Sequence, residues 1–245
     1  MTRRVALIAP ADSYVGPELA RALAARDHDL VLADAPADLV AELTALGGRV
    51  VSVDRCSDLA EETATPRLVG AALDAFGRLD AACCFTGAIT VGRFLDSSVD
   101  DLARSVRGNL EAPYRFLRAV TPVMVEAGGG QILVITSASA ARATPGAPIY
   151  SATRAGATHL VRNVADEVAA TGVQVNAVGT NFMDFPGFIK ANRAEDPERR
   201  KKVEAMVPMR RLGTMTEFAS FCTVFLDGTS RFQTGAFVTY AGGWA

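Results

Sequence analysis

A serine, a tyrosine and an arginine are spaced in this chain in a way that could move a proton. Ser137 is followed after twelve residues by Tyr150, and Arg154 comes four residues later. Pro148 is typical of the first turn of a helix, and residues at i and i+4 share a helix face, so Tyr150 and Arg154 are predicted neighbours. A guanidinium beside a phenol favours loss of the phenolic proton, which makes Tyr150 the candidate base. Taken alone, such a spacing also fits an ordinary surface pair.

The segment that leads to Ser137 favours the catalytic interpretation. Residues 128–137, GGGQILVITS, form an apolar, β-rich run that ends in hydroxyl side chains. Buried parallel strands have this composition, and ligands bind at the sheet edge formed by their carboxyl ends. A substrate oxygen could therefore be held between the hydroxyl groups of Ser137 and Tyr150.

The spacing S-x12-Y-x3-R resembles the catalytic triad of the halohydrin dehalogenases. That family is similar to the short-chain dehydrogenases and reductases but has arginine in place of their lysine, which is not a conservative exchange. The resemblance implies that Ser137, Tyr150 and Arg154 are catalytic and that the chain is a carbon-halide lyase. It would convert vicinal halohydrins reversibly into epoxides and halide, and would open epoxides with azide, cyanide or nitrite, without a cofactor.

The first strand-to-helix turn bears on whether a dinucleotide can bind. Such turns carry glycines so that the backbone can approach a pyrophosphate at the helix N-terminus. Here Pro10 and Tyr14 stand where the short-chain reductases have their first two glycines, and only Gly16 remains. Proline lacks an N–H donor and the aromatic ring fills space, so the sequence predicts a closed nucleotide site and no cofactor. The alternative is that Tyr14 only stabilises the loop and a cofactor binds despite it.

The same turn is part of a predicted anion pocket. In halohydrin dehalogenases an aromatic residue of this turn and a later G-x-N-[FY] segment enclose the halide. Tyr14, Asn181 and Phe182 match these positions, although Ala9 replaces a threonine. The resemblance therefore implies that Tyr14, Thr180, Asn181 and Phe182 bind the halide or the attacking anion. An ordinary loop at the sheet edge, with its aromatic residues facing the core, is the alternative.

Two more aromatic residues are expected to line the substrate pocket. Phe85 follows the fourth predicted strand, where core packing is the alternative, and Phe185 lies in the loop after the sixth strand. The loop GTNFMDFPGF and the GGW ending resemble the branch of the family that acts on bulky, including cyclic, epoxides. Asp34 and Asp54, in positions where reductases bind ribose and adenine, are predicted to be loop or capping residues. Asn109 is predicted to form a structural hydrogen bond to backbone.

Strand-like and helical patterns alternate along the whole chain, which indicates an α/β fold with a doubly wound parallel sheet. The fold class predicted is one Rossmann-like, three-layer domain over residues 1–245 with a seven-stranded sheet, for which the resemblance implies the order 3-2-1-4-5-6-7. Long helices are predicted near residues 110–127 and 149–170, and the resemblance implies a homotetramer in which they pair across subunits. The strands are predicted at residues 5–9, 30–33, 50–53, 79–84, 131–136, 173–178 and 236–240.

Composition excludes several other classes of function. The chain has 245 residues, 49% of them hydrophobic, and a net charge of −2, which gives no reason to expect a nucleic-acid partner. No apolar run is long enough to span a membrane, and a cytoplasmic location is expected.

The four cysteines are expected to be small core residues, with a redox role as the alternative. His28, expected in a loop, and His159 are too few for a histidine metal site or a Ser-His-Asp triad.

Two competing functions remain open at this point. The first is an NAD(P)-dependent short-chain reductase with a degenerate cofactor motif, and the second is a non-catalytic binding protein with the same fold. The small-molecule partner expected for the main hypothesis is a halohydrin or epoxide together with a halide or pseudohalide anion.

Overall fold

The structure of the protein is a computed structural model, and it describes residues 3–245. Strands and helices alternate along this part of the chain, as the sequence predicts. The strands are β1 Arg4–Ala9, β2 His28–Ala33, β3 Val50–Val53, β4 Ala81–Phe85, β5 Gly130–Ser137, β6 Val173–Thr180, β7 Met183–Asp184, β8 Gly213–Thr214 and β9 Phe237–Tyr240. The helices are α1 Gly16–Ala24, α2 Ala37–Ala45, α3 Ala64–Phe76, α4 Val99–Val106, α5 Ala112–Glu126, α6 Pro148–Val168, α7 Pro186–Asn192, α8 Pro197–Ala205 and α9 Met215–Thr223.

Seven of the strands form one parallel sheet in the order β3-β2-β1-β4-β5-β6-β9. This confirms the predicted fold class and strand order. The sequence did not predict the two short strands β7 and β8. They pair in parallel with each other and so connect the loop after β6 to the segment before α9. The fourth strand begins later than expected, at Ala81, because the apolar Leu79 is buried ahead of it without belonging to the strand.

Side chains that alternate along the strands divide the core into two layers. On β1, Val5, Leu7 and Ala9 belong to the layer covered by α3, α5 and α6. Ala6 and Ile8 face the layer that contains α1, α2 and α9. The helices on both faces leave the carboxyl ends of the strands open at one edge, where ligands bind in such sheets.

His28 was expected in a loop, and this expectation is wrong. It is the first residue of β2 and is only 1% exposed. Its Nδ1 lies 2.9 Å from the carbonyl oxygen of Arg26, and its Nε2 accepts from Arg4 Nε at 3.3 Å. Burial lowers the pKa of His28. A neutral imidazole whose two nitrogens both have hydrogen-bond partners can be buried at the start of a strand. These partners come from the tertiary structure, so the sequence did not indicate that His28 is buried.

All four cysteines, Cys56, Cys83, Cys84 and Cys222, are buried and free, which confirms their expected place in the core. Burial raises the pKa of the Cys84 and Cys222 thiols, so these groups remain protonated and are poor nucleophiles. None of the helices in the described part of the chain is long and apolar enough to cross a lipid bilayer.

Candidate active site

A cavity of about 660 Å³ lies at the carboxyl edge of the sheet. The ends of β4, β5 and β6, the first turns of α6 and the segment that contains α7 form its walls. Every site residue predicted from the sequence lines this cavity: Ser137, Tyr150, Arg154, Tyr14, Thr180, Asn181, Phe182, Phe85 and Phe185. The structure therefore brings together residues that are up to 171 positions apart in the sequence, from Tyr14 to Phe185. The roles proposed for these residues remain predictions.

Ser137 is the last residue of β5 and lies beside Thr180, the last residue of β6. Its hydroxyl oxygen accepts from the Ser139 hydroxyl at 2.9 Å and from the Ser139 amide at 3.2 Å. It donates to the Thr180 carbonyl oxygen at 3.4 Å, a long distance for an O–H donor. A hydroxyl has one donor and two acceptor sites, so Ser137 can offer a substrate only its proton. Its next partner must be a hydrogen-bond acceptor.

Tyr150 and Arg154 lie on one face of α6, which begins at Pro148 as predicted. The guanidinium carbon of Arg154 lies 5.2 Å from the centre of the Tyr150 ring, within cation–π range. Arg154 is only 5% exposed, and its Nε and Nη1 have no hydrogen-bond partner within the described residues. A Cβ at Gly87 would lie 2.0 Å from Arg154 Nη2, so a larger residue there would displace the guanidinium from its present position.

Asn109 supports the wall of the cavity through backbone hydrogen bonds. It lies in a π-helical turn, Arg107–Glu111, and is fully buried. Its Oδ1 accepts from the Ala88 amide at 3.0 Å, and its Nδ2 donates to the Ala88 carbonyl at 2.9 Å. The predicted structural role of Asn109 is confirmed, because these bonds fix the segment that follows Gly87.

Tyr14 fills the first turn. Its ring centre lies 5.3 Å from that of Phe85 and 4.8 Å from that of Phe185, and its hydroxyl donates to Thr180 Oγ1 at 2.8 Å. Burial raises the pKa of Tyr14, so the phenol stays neutral. Gly16 is needed for close packing, since a Cβ there would lie 2.7 Å from the Pro10 carbonyl oxygen.

The loop after β6 uses some of the groups that an anion would need. Asn181 Oδ1 accepts from the Phe182 amide at 2.9 Å, so this N–H already has a partner. The Phe182 ring is buried and packs against Phe188 and Trp244, with ring centres 5.9 Å and 5.6 Å away. The Tyr14 hydroxyl is likewise bonded to Thr180. An anion in this corner would have to displace existing hydrogen bonds, so the predicted halide pocket gains no support from this geometry.

Comparison with known proteins gives the family. A family model described as enoyl-(acyl carrier protein) reductase matches residues 10–245. The chain belongs to the short-chain dehydrogenase/reductase family. It is 30% identical to a 3-oxoacyl-[acyl-carrier-protein] reductase of Synechocystis, over 89% of this chain and 87% of that protein. It is 29% identical to an L-rhamnose 1-dehydrogenase of Sphingomonas, over 98% and 95% of the two chains. A short-chain type dehydrogenase/reductase structure from Mycobacterium ulcerans superimposes with a TM-score of 0.89 at 25% identity, covering 98% of this chain and 89% of that one.

These relatives correct one expectation from the sequence. The carbon-halide lyase assignment is wrong, because proteins that match almost the whole chain are named as dehydrogenases and reductases. The S-x12-Y-x3-R spacing is therefore a variant within an oxidoreductase family. It does not by itself define the chemistry of a lyase.

The first turn does not fit the pyrophosphate of a dinucleotide in the pose that this fold ordinarily gives it. Pro10 has no N–H to donate, and the Tyr14 ring of the same turn packs on Phe85 where the reductases have a glycine. Asp34, at the end of β2, is also engaged: its carboxylate accepts from the amides of Cys56 and Ser57, at 2.9 Å and 2.7 Å, and from the amide of Arg55. The Ser57 hydroxyl donates to it at 2.6 Å. Asp34 is therefore a loop-fixing residue, as the sequence suggested.

Sequence reasoning missed Ser139. This residue is 4% exposed and donates both of the hydrogen bonds that the Ser137 hydroxyl accepts. The signal was present in the spacing Ser137-Ala138-Ser139, in which a second hydroxyl follows the strand end. No cluster of three or more His, Cys, Asp or Glu that could hold a metal ion occurs in residues 3–245.

Proposed function

We propose that this chain is an enzyme that transfers a proton to or from an oxygen of a small, mostly apolar molecule. The reaction class is the hydroxyl–carbonyl interconversion of the oxidoreductases to which it is similar. The observation that carries this proposal is the placing of the Ser137 and Tyr150 hydroxyls on one cavity of about 660 Å³, with Arg154 behind them. Aromatic and aliphatic side chains form much of the remaining wall, including Phe85, Ile89 and Phe185.

Each of the three side chains has a distinct task in the proposed reaction. Ser137 donates a hydrogen bond to the substrate oxygen, because both of its acceptor sites are used by Ser139. Tyr150 gives its phenolic proton to that oxygen in the direction of the alcohol, and removes it in the opposite direction. Arg154 stabilises the negative charge that develops on the phenol oxygen or the substrate oxygen, from a buried position where its charge is weakly screened.

Reduction of a carbonyl needs a hydride at its carbon as well as the proton from Tyr150, and oxidation of an alcohol gives that hydride up. The described side chains of the cavity include no redox group, so the hydride would be exchanged with a nicotinamide nucleotide bound in a pose other than the ordinary one. Because Pro10 and Tyr14 close the ordinary pyrophosphate cradle, a nicotinamide nucleotide in the ordinary pose is not part of the proposed chemistry. The proposal concerns the proton-transfer groups of the chain itself, and it is tested with and without added nucleotide.

Tyr150→Phe tests the proposed acid–base group. Purified protein is incubated with aliphatic, alicyclic and aromatic ketones and alcohols, with NADH, with NADPH and with no nucleotide, and products are quantified by chromatography. Loss of a general acid–base group is expected to reduce kcat about 100-fold or more. Tyr114→Phe is the matched control, since Tyr114 is 51% exposed on α5, and it should leave kcat unchanged.

The same experiment separates the reaction class from the role of Tyr150. Turnover that depends on Tyr150 but proceeds without any nucleotide would overturn the oxidoreductase assignment and leave the proton-transfer role intact. Turnover that is equal in the wild type and in Tyr150→Phe would overturn the proposed role of the phenol.

A further inference from the structure

A second cavity lies at the opposite edge of the sheet, where the parallel strands begin. Its volume is about 430 Å³. Arg4 at the start of β1, Asp80 just before β4, and Gln131 at the start of β5 contribute to its wall, together with Arg78 and Arg231. No residue of the candidate active site lines this cavity. Its properties are therefore independent of the reaction proposed above.

Positive charge exceeds negative charge on the wall of this cavity. Three arginines face one carboxylate, that of Asp80. Asp80 is already engaged: Arg78 donates to both of its oxygens, at 2.6 Å and 2.8 Å, and the Val5 amide donates at 2.8 Å. Within the described residues, neither Arg4 nor Arg231 forms a salt bridge with any carboxylate. Two guanidiniums on this wall thus lack an acidic partner.

Arg4 is held in place by neutral groups only. Its Nη2 donates to the Gln131 side-chain oxygen at 3.0 Å and to the carbonyl oxygens of Leu226 and Asp80 at 3.2 Å and 3.3 Å. Burial lowers the pKa of Arg4; Asp80 and, weakly, Asp227 oppose this effect, while Arg231 and Arg78 add to it. The site therefore keeps a fixed, partly buried cation near another cation, an arrangement that an anion would stabilise.

The remaining wall leaves the guanidiniums accessible. Gly128, Gly129 and Gly172 contribute no side chains, and their φ angles of 74°, 156° and 83° are positive. A Cβ at Gly172 would lie 2.9 Å from the Gly128 carbonyl oxygen, so this close approach of two loops excludes larger residues. Arg231 is exposed and donates through Nε to the Gly228 carbonyl at 3.0 Å.

We propose that this cavity binds a phosphate group between Arg4 and Arg231. Arg4 Nη1 and both Nη atoms of Arg231 donate to no group in the described residues. The positive charges of two guanidiniums suit a dianion better than a singly charged ligand. The ligand is either inorganic phosphate or a small phosphomonoester, which share this chemistry.

The proposal is tested by isothermal titration calorimetry of the full chain with sodium phosphate and with glycerol phosphate, at constant ionic strength set with chloride. Arg231→Gln is expected to weaken binding at least tenfold, because it removes one of the two positive charges that face the ligand. Arg162→Gln is the matched control, since Arg162 is an exposed arginine on α6 outside the cavity, and it should bind as the wild type does. Circular dichroism checks that both variants are folded.

The two ligands distinguish the source of the phosphate. Tighter binding of glycerol phosphate supports a phosphomonoester, and tighter binding of inorganic phosphate supports the free ion. Absence of binding to the wild type, or equal affinities in the wild type and Arg231→Gln, would overturn the proposal. Weakening of the same size in Arg162→Gln would also overturn it, because the effect would then be one of net charge.

Discussion

Arg154 shows how a single residue constrains the chemistry of this cavity. Among the described residues that line the cavity, it is the only charged one, and its Nε and Nη1 are buried without partners. An unpaired buried charge costs several kcal/mol. Such a group is favourable when negative charge develops beside it, on the Tyr150 oxygen or on a substrate oxygen. The arrangement fits a proton-transfer site and disfavours a purely structural role for Arg154.

Tyr14 is the residue whose ring we expect to keep a dinucleotide away from the first turn. Replacing it with glycine removes the ring that packs on Phe85 and Phe185, and glycine tolerates the φ of 51° at this position. We expect Tyr14→Gly to bind NADH at least tenfold more tightly than the wild type, measured by fluorescence titration. The gain in NADH affinity is limited because Pro10 still lacks an N–H donor and the Asp34 carboxylate still accepts hydrogen bonds from the amides of Cys56 and Ser57.

Tyr14→Phe is the control for this experiment. It removes the hydrogen bond to Thr180 but keeps the ring, so the turn should stay closed and NADH affinity should match that of the wild type. Loss of a large buried aromatic side chain costs about 3–5 kcal/mol, so urea unfolding must show that Tyr14→Gly is folded under the titration conditions. Wild-type protein that binds NADH as tightly as Tyr14→Gly would contradict the interpretation that the ring blocks the site.

At the level of elements, the β2 and β3 ends are joined by the carboxylate of Asp34. Burial acts to raise the pKa of Asp34, but hydrogen bonds from the Ser57 hydroxyl and from the amides of Cys56, Arg55 and Ser57 outweigh it and lower the pKa. A carboxylate whose folded pKa is depressed stabilises the fold above its unfolded pKa, about 3.9 for aspartate. That contribution is lost as the pH falls through the lower folded value.

Asp34→Asn should therefore destabilise the protein by about 1–2 kcal/mol at pH 7, because the asparagine side chain accepts fewer and weaker hydrogen bonds than a carboxylate. The loss is no larger because the site is partly solvated, which screens the charge. Urea unfolding between pH 7 and pH 3 measures this, and the difference from the wild type should shrink below about pH 4. Asp74→Asn, at an exposed position of α3, is the control and should change stability little at any pH. A constant difference across the whole range would mean that charge is not the cause.

Elements that repeat a strong pattern could be predicted from the sequence, and the exact packing of single side chains could not. The seven strands of the main sheet and the start of α6 at Pro148 follow from hydrophobic runs and from proline chemistry. The strands β7 and β8 are two residues long, too short to carry a pattern. The hydrogen bonds of Ser139 and the engagement of the Phe182 amide depend on tertiary geometry, which spacing alone does not determine. The predicted lyase activity is wrong because the S-x12-Y-x3-R spacing also occurs in a chain whose relatives over most of its length are dehydrogenases and reductases.

At the level of the whole molecule, an apolar surface lies beside the candidate active site, and we predict that it contacts a second copy of the chain. Five residues form it: Ile89, Val91, Phe94, Leu95 and Val99, which are 72%, 71%, 70%, 81% and 80% exposed. Ile89 and Val91 also line the cavity, so a second copy of the chain that covers this apolar surface would complete the rim of the site. Contiguous exposed apolar side chains of this kind mark interaction sites in soluble proteins. The homotetramer expected from the resemblance is one assembly that would cover it.

We expect the solution mass of the wild type to correspond to two or more copies of the 25.8 kDa chain, measured by light scattering coupled to size exclusion. Leu95→Asp with Val99→Asp places charge in the contact and should reduce that mass, because burying an unpaired carboxylate is costly. The KM for the substrate should also rise, since the rim formed with Ile89 and Val91 would then be open to water. Phe232→Asp changes a fully exposed aromatic residue outside this surface and should keep both values. A monomeric wild type, or a double variant that keeps its mass, would show that this surface does not join copies of the chain.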